Sequence, residues 1–430
     1  MTGNDVARLG APPELAVPGM RIVLDARPLQ TPERAPTAAA YLDGLLGAFD
    51  AHPLDGESFA FLIGSDLDDP TERYPHLEVV GRRQLPPTRL LRSGAMTIDP
   101  FMLRGATVGS AWRAERDGAA GAVYHSVGGP LPIASGLPVV TTLLDLAPWE
   151  LPDEYQRSLA TRFGQRMRAQ LLREAAAVIV GSEATARAAR RLLRIRRDRL
   201  RVVRLAPRAG FGPVAPAESA ESERTTRELR DRLGLGERYL VFTGRFDARL
   251  DLETLLRSLA VLATAGRPAS FDSAVAWPPR ILLVGASPED RASIARAAGR
   301  QGIGEALAYA PALSVDDLAG LVRGARAAIL PMRSEAAGLP VIEALACGTP
   351  VVASSVGSLP ELIGAAGVLV EPRDADRLAV ALATVWADDT VHDRIAGTAR
   401  QRADGDRRTW SDVARETRAI YAEVGVRRAS

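Results

Sequence analysis

The chain contains no lysine: all 54 of its basic residues are arginine. That excludes a lysine Schiff base or lysine general base. Cys347 is the sole cysteine, so no internal disulfide can form, which suits a reducing, cytoplasmic compartment. Its place inside a short apolar segment reads as a small buried filler. There are only four histidines, and no two stand at metal-ligand spacing. The net charge is +2, without the one-signed excess that nucleic acid would demand. No apolar run reaches the roughly 20 residues that cross a bilayer, and no signal peptide is visible.

What is present is ordinary globular material. The chain has 430 residues, 47% hydrophobic and 25% charged, enough for two or three full cores. Residues 1–19 are rich in Pro and Gly without periodicity and read as a disordered head. Short β-rich runs then alternate with helical patterns. The first series is 21–26, 59–64, 77–80, 122–125, 139–143, 177–180 and 200–203, with a helix at 37–49. The second is 239–243, 281–284, 306–309, 327–330, 351–354 and 368–370, with helices at 252–265, 315–323 and 375–386. Between them residues 205–222 turn rich in Pro, Ala, Gly and Ser, the composition of a linker. The alternation predicts an α/β protein of two doubly wound, Rossmann-like domains facing across a cleft. The expected bounds are 20–206, a linker at 207–222, 223–405, and a terminal helix within 406–430. A dinucleotide-binding dehydrogenase is disfavoured, because no full G-x-G-x-x-G follows the first strand of either domain.

The segment SEAAGLPVIEALACGTPVV, residues 334–352, carries the chemistry. Pro340 suits the first turn of a helix over 339–347, and Gly348 suits its stop. The helix start offers unpaired N–H groups and a partial positive charge, which favour phosphate. Gly338 lets a ligand approach the backbone closely. Glu335 and Glu343, eight positions apart, could grip hydroxyls on either side. A capped helix with two solvated acids is the other reading, and the local pattern does not choose.

The order of landmarks along the chain does choose. RIVLDARPL, HSVGGPLP, TTLLDLAPWELP, VIVGSEATARAARRLL, FTGRFDARLDLETLLRSLA and the 334–364 stretch, with E-x7-E, resemble the GT-B glycosyltransferases of retaining family 4. The resemblance covers nearly all of the chain after residue 20. It implies a retaining hexosyl transfer from a nucleoside-diphosphate sugar to an acceptor, without cofactor or catalytic metal. The donor would bind the C-terminal domain and the acceptor the N-terminal one. It implies that Glu343 holds the ribose, that Glu335 lies near the transferred sugar, and that amides around Gly338, Leu339, Pro340 and Val341 cradle the diphosphate. Arg245, after Gly244, would pair with that diphosphate. Asp145 would face the cleft, and Gly285 and Leu313 would lie near the base. His125, at a strand end, could contact acceptor or donor, or serve as a packing residue. The terminal helix with Trp410 would cross back to the first domain.

Four positions depart from the family pattern. Its lysine, five residues after the arginine, is Leu250, with Arg249 as neighbour. Its E-G-F-G is Glu335-Ala336-Ala337-Gly338. Its histidine before Asp145 is Leu144, and its glycine-rich first loop is residues 31–39, TPERAPTAA. These losses raise an alternative: a degenerate GT-B homologue acting as a nucleotide-binding or partner subunit. The Asp-x-Asp matches at 66–68, 374–376 and 404–406 read as turns and a helix start, not metal sites. The basic run 191–204 reads as a helix C-terminus with a solvated rim, and a lipid-facing role is its weaker reading. The stretch 87–103 mixes Arg with apolar residues and is a second candidate for a membrane or nucleic-acid contact, but Pro100 is expected to interrupt any continuous amphipathic helix there.

Overall fold

The structure is a computed structural model that describes residues 19–87, 95–214, 219–269, 271–405 and 407–425. Of the expected disordered head only Gly19 falls within them; the rest lies outside the described residues.

Two parallel sheets form the core. The first contains β1 (Met20–Asp25), β2 (Ser58–Gly64), β3 (Val79–Leu85), β4 (Gly121–Val127), β5 (Val139–Thr142), β6 (Ala177–Val180) and β7 (Leu200–Val202). Its order is β3-β2-β1-β4-β5-β6-β7. The second contains β8 (Leu240–Phe242), β9 (Ile281–Val284), β10 (Leu307–Ala310), β11 (Ala327–Leu330), β12 (Val351–Ser354) and β13 (Gly367–Val370). Its order is β10-β9-β8-β11-β12-β13. Central strands such as AVIV in β6 and ILLV in β9 are buried throughout. Helices on both faces leave them no solvent side, which is why they read as unbroken apolar runs. In each sheet the strand order reverses beside the first strand. That switch point opens a crevice at the carboxyl ends of the strands.

The helices that matter for the site are α1 (Pro36–Ala51), α2 (Ala95–Arg116), α3 (Leu159–Glu174), α4 (Glu183–Leu193), α5 (Ser219–Arg232), α6 (Leu252–Ala265), α7 (Leu339–Ala346), α8 (Leu359–Ile363) and α9 (Trp410–Gly425). Local chemistry starts them. Pro36 opens α1, and the Ser158 and Ser182 hydroxyls accept the Thr161 and Thr185 amides at the starts of α3 and α4. The terminal helix crosses back, as expected. Val413, Ala414, Ile420 and Tyr421 are buried in the N-terminal core beside residues of β1 and α1. Trp410 stacks edge-on against Tyr41 at 5.4 Å and donates its indole N–H to Pro207 O. The ring lies so close to Gly44 that a Cβ there would stand 2.2 Å from it.

Three sequence expectations shift. The linker is shorter than 207–222, because α5 begins at Ser219; its run of Glu and Arg is good helix material. The 77–80 strand is Val79–Leu85, an edge strand whose alternating exposure admits Arg82 and Arg83. Pro100 does not interrupt α2, which runs through it. It stands near the helix start, so its missing N–H costs a single bond, the one to the carbonyl four residues back.

Candidate active site

The expected donor residues lie beyond the carboxyl ends of strands of the second sheet, in loops or in the helix α7 that follows β11. Gly244 and Arg245 follow β8, Gly285 follows β9, Leu313 follows β10, and Glu335 and Gly338 follow β11. Gly338 caps α7 at φ +68°, and a Cβ there would stand 2.1 Å from Leu362 Cδ1, so a side chain is excluded twice over. Gly285 also needs a positive φ, +81°.

The two glutamates sit differently. Glu335 Oε1 accepts the Ala337 amide at 3.1 Å and the Gly338 amide at 2.8 Å, closing the start of α7 on itself. Burial pushes its carboxyl pKa up, against the pull of those amides and of Arg249. The expected amide cradle is therefore largely engaged. Gly338 N–H is on Glu335, Val341 N–H is on Gly338 O at 3.0 Å, and Pro340 has none. Glu343, inside α7, is 3% exposed. Arg208, from the segment that joins the domains, clasps it with Nε at 2.5 Å and Nη2 at 3.0 Å. Burial raises the Glu343 pKa and Arg208 opposes it. The Arg208 guanidinium also lies over the Phe211 ring at 5.0 Å.

Opposite stand the arginines of the β8–α6 loop. Arg249 grips Asp247 with Nε at 3.0 Å and Nη2 at 2.6 Å, and points Nη1 at Asp145 of the other domain, 3.4 Å away. Burial lowers its pKa, but the charges and hydrogen bonds of Asp247 and Asp145 outweigh this and hold it protonated. Arg245 Nε lies 3.2 Å from Asp247, and its Nη1 donates to Arg34 O across the cleft at 3.1 Å. Arg34 belongs to the loop that replaces the family's glycine-rich turn. The structure thus brings Arg245, Arg249 and Glu335 of the C-terminal domain together with Asp145 of the N-terminal one, while Glu343 lies inside α7.

His125 is corrected. It is fully buried, with Nδ1 2.6 Å from Tyr421 Oη and Nε2 2.9 Å from Thr142 Oγ1. Burial holds its pKa down at about 3, so it is a neutral ring joining β4 to α9 and not a cleft residue. The departures from the family pattern are structural as well. Leu144 is buried in the N-terminal core and Leu250 in the C-terminal core. Leu250 makes an antiparallel bridge to Met332, and Arg333 N–H donates to Arg249 O at 2.7 Å. That pairing buries position 250 and leaves the cation at 249 facing the cleft. Ala336 and Ala337 leave the C-terminal domain and pack in the N-terminal hydrophobic clusters.

Several contacting residues escaped the sequence reading. Ser334 donates to Glu150 Oε2 at 2.5 Å, and Arg333 Nη1 lies 3.3 Å from Glu154. Thr185 donates to Ala336 O at 2.8 Å. Glu361, in α8, accepts the Glu183 and Ala184 amides at 3.1 and 2.8 Å, capping α4 from the other domain. Only Asp247 had a signal, at the middle of R-F-D-A-R. Among the described residues, no group of three or more His, Cys, Asp or Glu could hold a metal.

Comparison with known proteins bears on this arrangement. Residues 237–388 match the family described as "Glycosyl transferases group 1". That span, which holds the second sheet, is therefore similar to a group 1 glycosyltransferase domain. The chain is 27% identical over 285 residues to the O-antigen chain mannosyltransferase B of Escherichia coli, spanning 66% of this chain and 69% of that one. It is 33% identical over 230 residues to a D-inositol 3-phosphate glycosyltransferase of Frankia alni, spanning about half of each: 52% and 53%. The fold is GT-B. A sucrose-phosphate synthase from Thermosynechococcus elongatus superposes with TM-score 0.66 at 22% identity, over 94% of this chain and 98% of that one. The Anabaena protein Alr3699/HepE, solved in complex with UDP, gives 0.63 at 17% identity, over 94% and 99%. The matched span, 237–388, includes Arg245, Arg249, Glu335 and Glu343.

Proposed function

We propose that this protein transfers a sugar, with retention, from a nucleoside-diphosphate sugar to an acceptor held by the N-terminal domain. The observation that carries the proposal is the pair of arginines beside Glu335 on the C-terminal domain, reaching Arg34 and Asp145 of the other domain, with Glu343 buried in the helix that follows Glu335. Arg245 and Arg249 take the diphosphate. Glu343 takes the ribose hydroxyls, exchanging Arg208 for them. Glu335 and Asp145 orient the sugar. As the bond from C1 to the phosphate oxygen breaks, its electron pair goes to the diphosphate, whose growing charge the guanidiniums stabilise. The acceptor oxygen bonds C1 on the same face, and its proton passes to the leaving phosphate. The acceptor wall is a cavity of about 240 Å³ between α2, α3 and the loop after β4, lined by Asp99, Gly129, Leu131, Gln165 and Arg168. UDP in the Anabaena structure supports a nucleotide donor. No helix among the described residues is long and apolar enough to cross a membrane, and a cytoplasmic location fits the lone cysteine.

Calorimetric titration with UDP, GDP and ADP tests the donor site. One nucleotide should bind, and Glu343→Ala should weaken it by at least about tenfold, the equivalent of ~1.4 kcal/mol. Failure of all three to bind the wild-type protein would favour the non-catalytic reading.

A further inference from the structure

The described residues include eleven large hydrophobic side chains that are exposed, and six of them lie on two helices, α2 and α3, which pack against each other. On α2 they are Ile98, Phe101, Val108 and Trp112, exposed by 41 to 61%. With Gly105 they repeat at spacings of three and four residues, a straight stripe along one helix face. The opposite face of α2 is the one that enters the core, through Leu103, Ala106 and Ala114. A helix that needs only one apolar face for folding therefore carries two. On α3 the exposed pair is Leu159 (82%) and Phe163 (57%), four residues apart and so on one side.

Arginine borders both stripes. Arg162 and Arg166 lie on the outer side of α3, and Arg104, Arg113 and Arg116 on α2, all exposed. The Arg116 guanidinium lies over the Trp112 ring at 5.2 Å. Of the acids nearby, Asp117 pairs with Arg21 and Arg116, and Glu154 pairs with Arg157 and Arg333; Glu115 and Asp153, also exposed, are outnumbered by the five arginines. Aromatic and aliphatic side chains ringed by long cations match an interface that is apolar inside and anionic at its rim. A second copy of this face would set arginine against arginine, which disfavours self-association. The same two helices line the cavity assigned to the acceptor, through Asp99 and Pro100 of α2 and Gly164, Met167 and Arg168 of α3.

We propose that the α2–α3 face docks on an anionic lipid surface, which brings the mouth of that cavity to the bilayer. This face is separate from the basic run 191–204. The docking stands on exposure and charge, independent of the donor chemistry.

Co-sedimentation of the full chain with extruded vesicles tests it. Vesicles of phosphatidylcholine with about one-quarter phosphatidylglycerol should bind the protein at least about tenfold better than phosphatidylcholine alone, and roughly 0.5 M salt should weaken the binding. Trp112 fluorescence should shift to the blue on binding. Trp112→Ser combined with Phe163→Ser changes only exposed positions, so folding should hold, and it should reduce anionic binding about tenfold or more. Nucleotide affinity should not change. No partition of the wild-type protein at low salt would overturn the proposal. Equal binding by the double variant would also overturn it, by assigning the attraction to scattered arginines. A wild-type dimer that the same substitutions dissociate would show instead that the face is covered by a second copy.

Discussion

Arg208 and Arg249 are the two side chains whose work is least visible in their neighbourhoods. Arg208 neutralises a glutamate 135 residues away in sequence. Removing it leaves Glu343 charged, buried and unpaired. Arg208→Ala should therefore cost about 3 kcal/mol of stability, and Glu343→Ala in the same chain should recover much of that loss. A double-mutant cycle by chemical denaturation reads the coupling; strictly additive losses would show that the pair is not interacting. In the proposed reading Arg249 serves in place of the family's lysine, from one position earlier. The Leu250–Met332 bridge explains how that shift is tolerated: it turns position 250 inward and position 249 toward Asp145. Arg249→Ala should lower kcat by about 100-fold or more, as lost charge stabilisation at a leaving group does, with a smaller change in KM. Steady-state kinetics with an identified donor would check the split. A lone rise in KM would assign Arg249 to ground-state binding.

At the scale of elements, what the sequence made legible was set by burial. Strands covered on both faces, such as Ala177–Val180 and Ala327–Leu330, appear as uninterrupted β-branched or small apolar runs and are found where expected. The edge strand Val79–Leu85 contains Arg82, Arg83 and Gln84, and its composition misplaced it. The start of α5 was hidden by the Ala and Pro that precede it, and α2 by Pro100. The α7 turn was legible because Gly338, Pro340 and Gly348 each leave a local mark. The crossing of α9 was expected only from the family resemblance, and the contact that clasps it to the first sheet left no local mark. It joins His125 to Tyr421, 296 residues apart. That clasp has a pH signature. The folded pKa of His125, about 3, lies below the ordinary value of 6.5, so the unfolded chain binds the proton first. Stability is complete above the ordinary value. As pH falls through the window toward 3, each unit should cost about 1.4 kcal/mol from this group. Denaturation midpoints at several pH values should show a slope in that window that His125→Gln reduces. An unchanged slope would assign the dependence to other groups.

The whole molecule is a closed pair of domains, and the contacts that close it could not be inferred from either half. Ala336 and Ala337 sit in apolar clusters of the other domain, Thr185 reaches the Ala336 carbonyl, and Glu361 caps α4. The family's glycine and aromatic residue at 336 and 337 have become two methyl groups that fill the N-terminal wall. Donor-site residues take part in the same closure: Arg245 spans to Arg34 and Arg249 to Asp145. On the proposed reading, a nucleoside diphosphate has to claim cations that already hold the domains together, which would link donor binding to closure. Glu361 offers a way to weaken closure while leaving every candidate donor-site side chain in place, because its carboxylate accepts the α4 amides. Glu361→Ala removes two charge-assisted hydrogen bonds from a helix start, worth about 1–2 kcal/mol of closed state. Small-angle scattering should then show a larger radius of gyration, while nucleotide affinity stays within about threefold of wild type, a difference under ~0.7 kcal/mol. Transfer should slow, because the acceptor wall no longer meets the donor. An unchanged radius would place the closure in the apolar contacts of Ala336 and Ala337, and Ala336→Asp, which forces a charge into that cluster, should then open the cleft where Glu361→Ala did not.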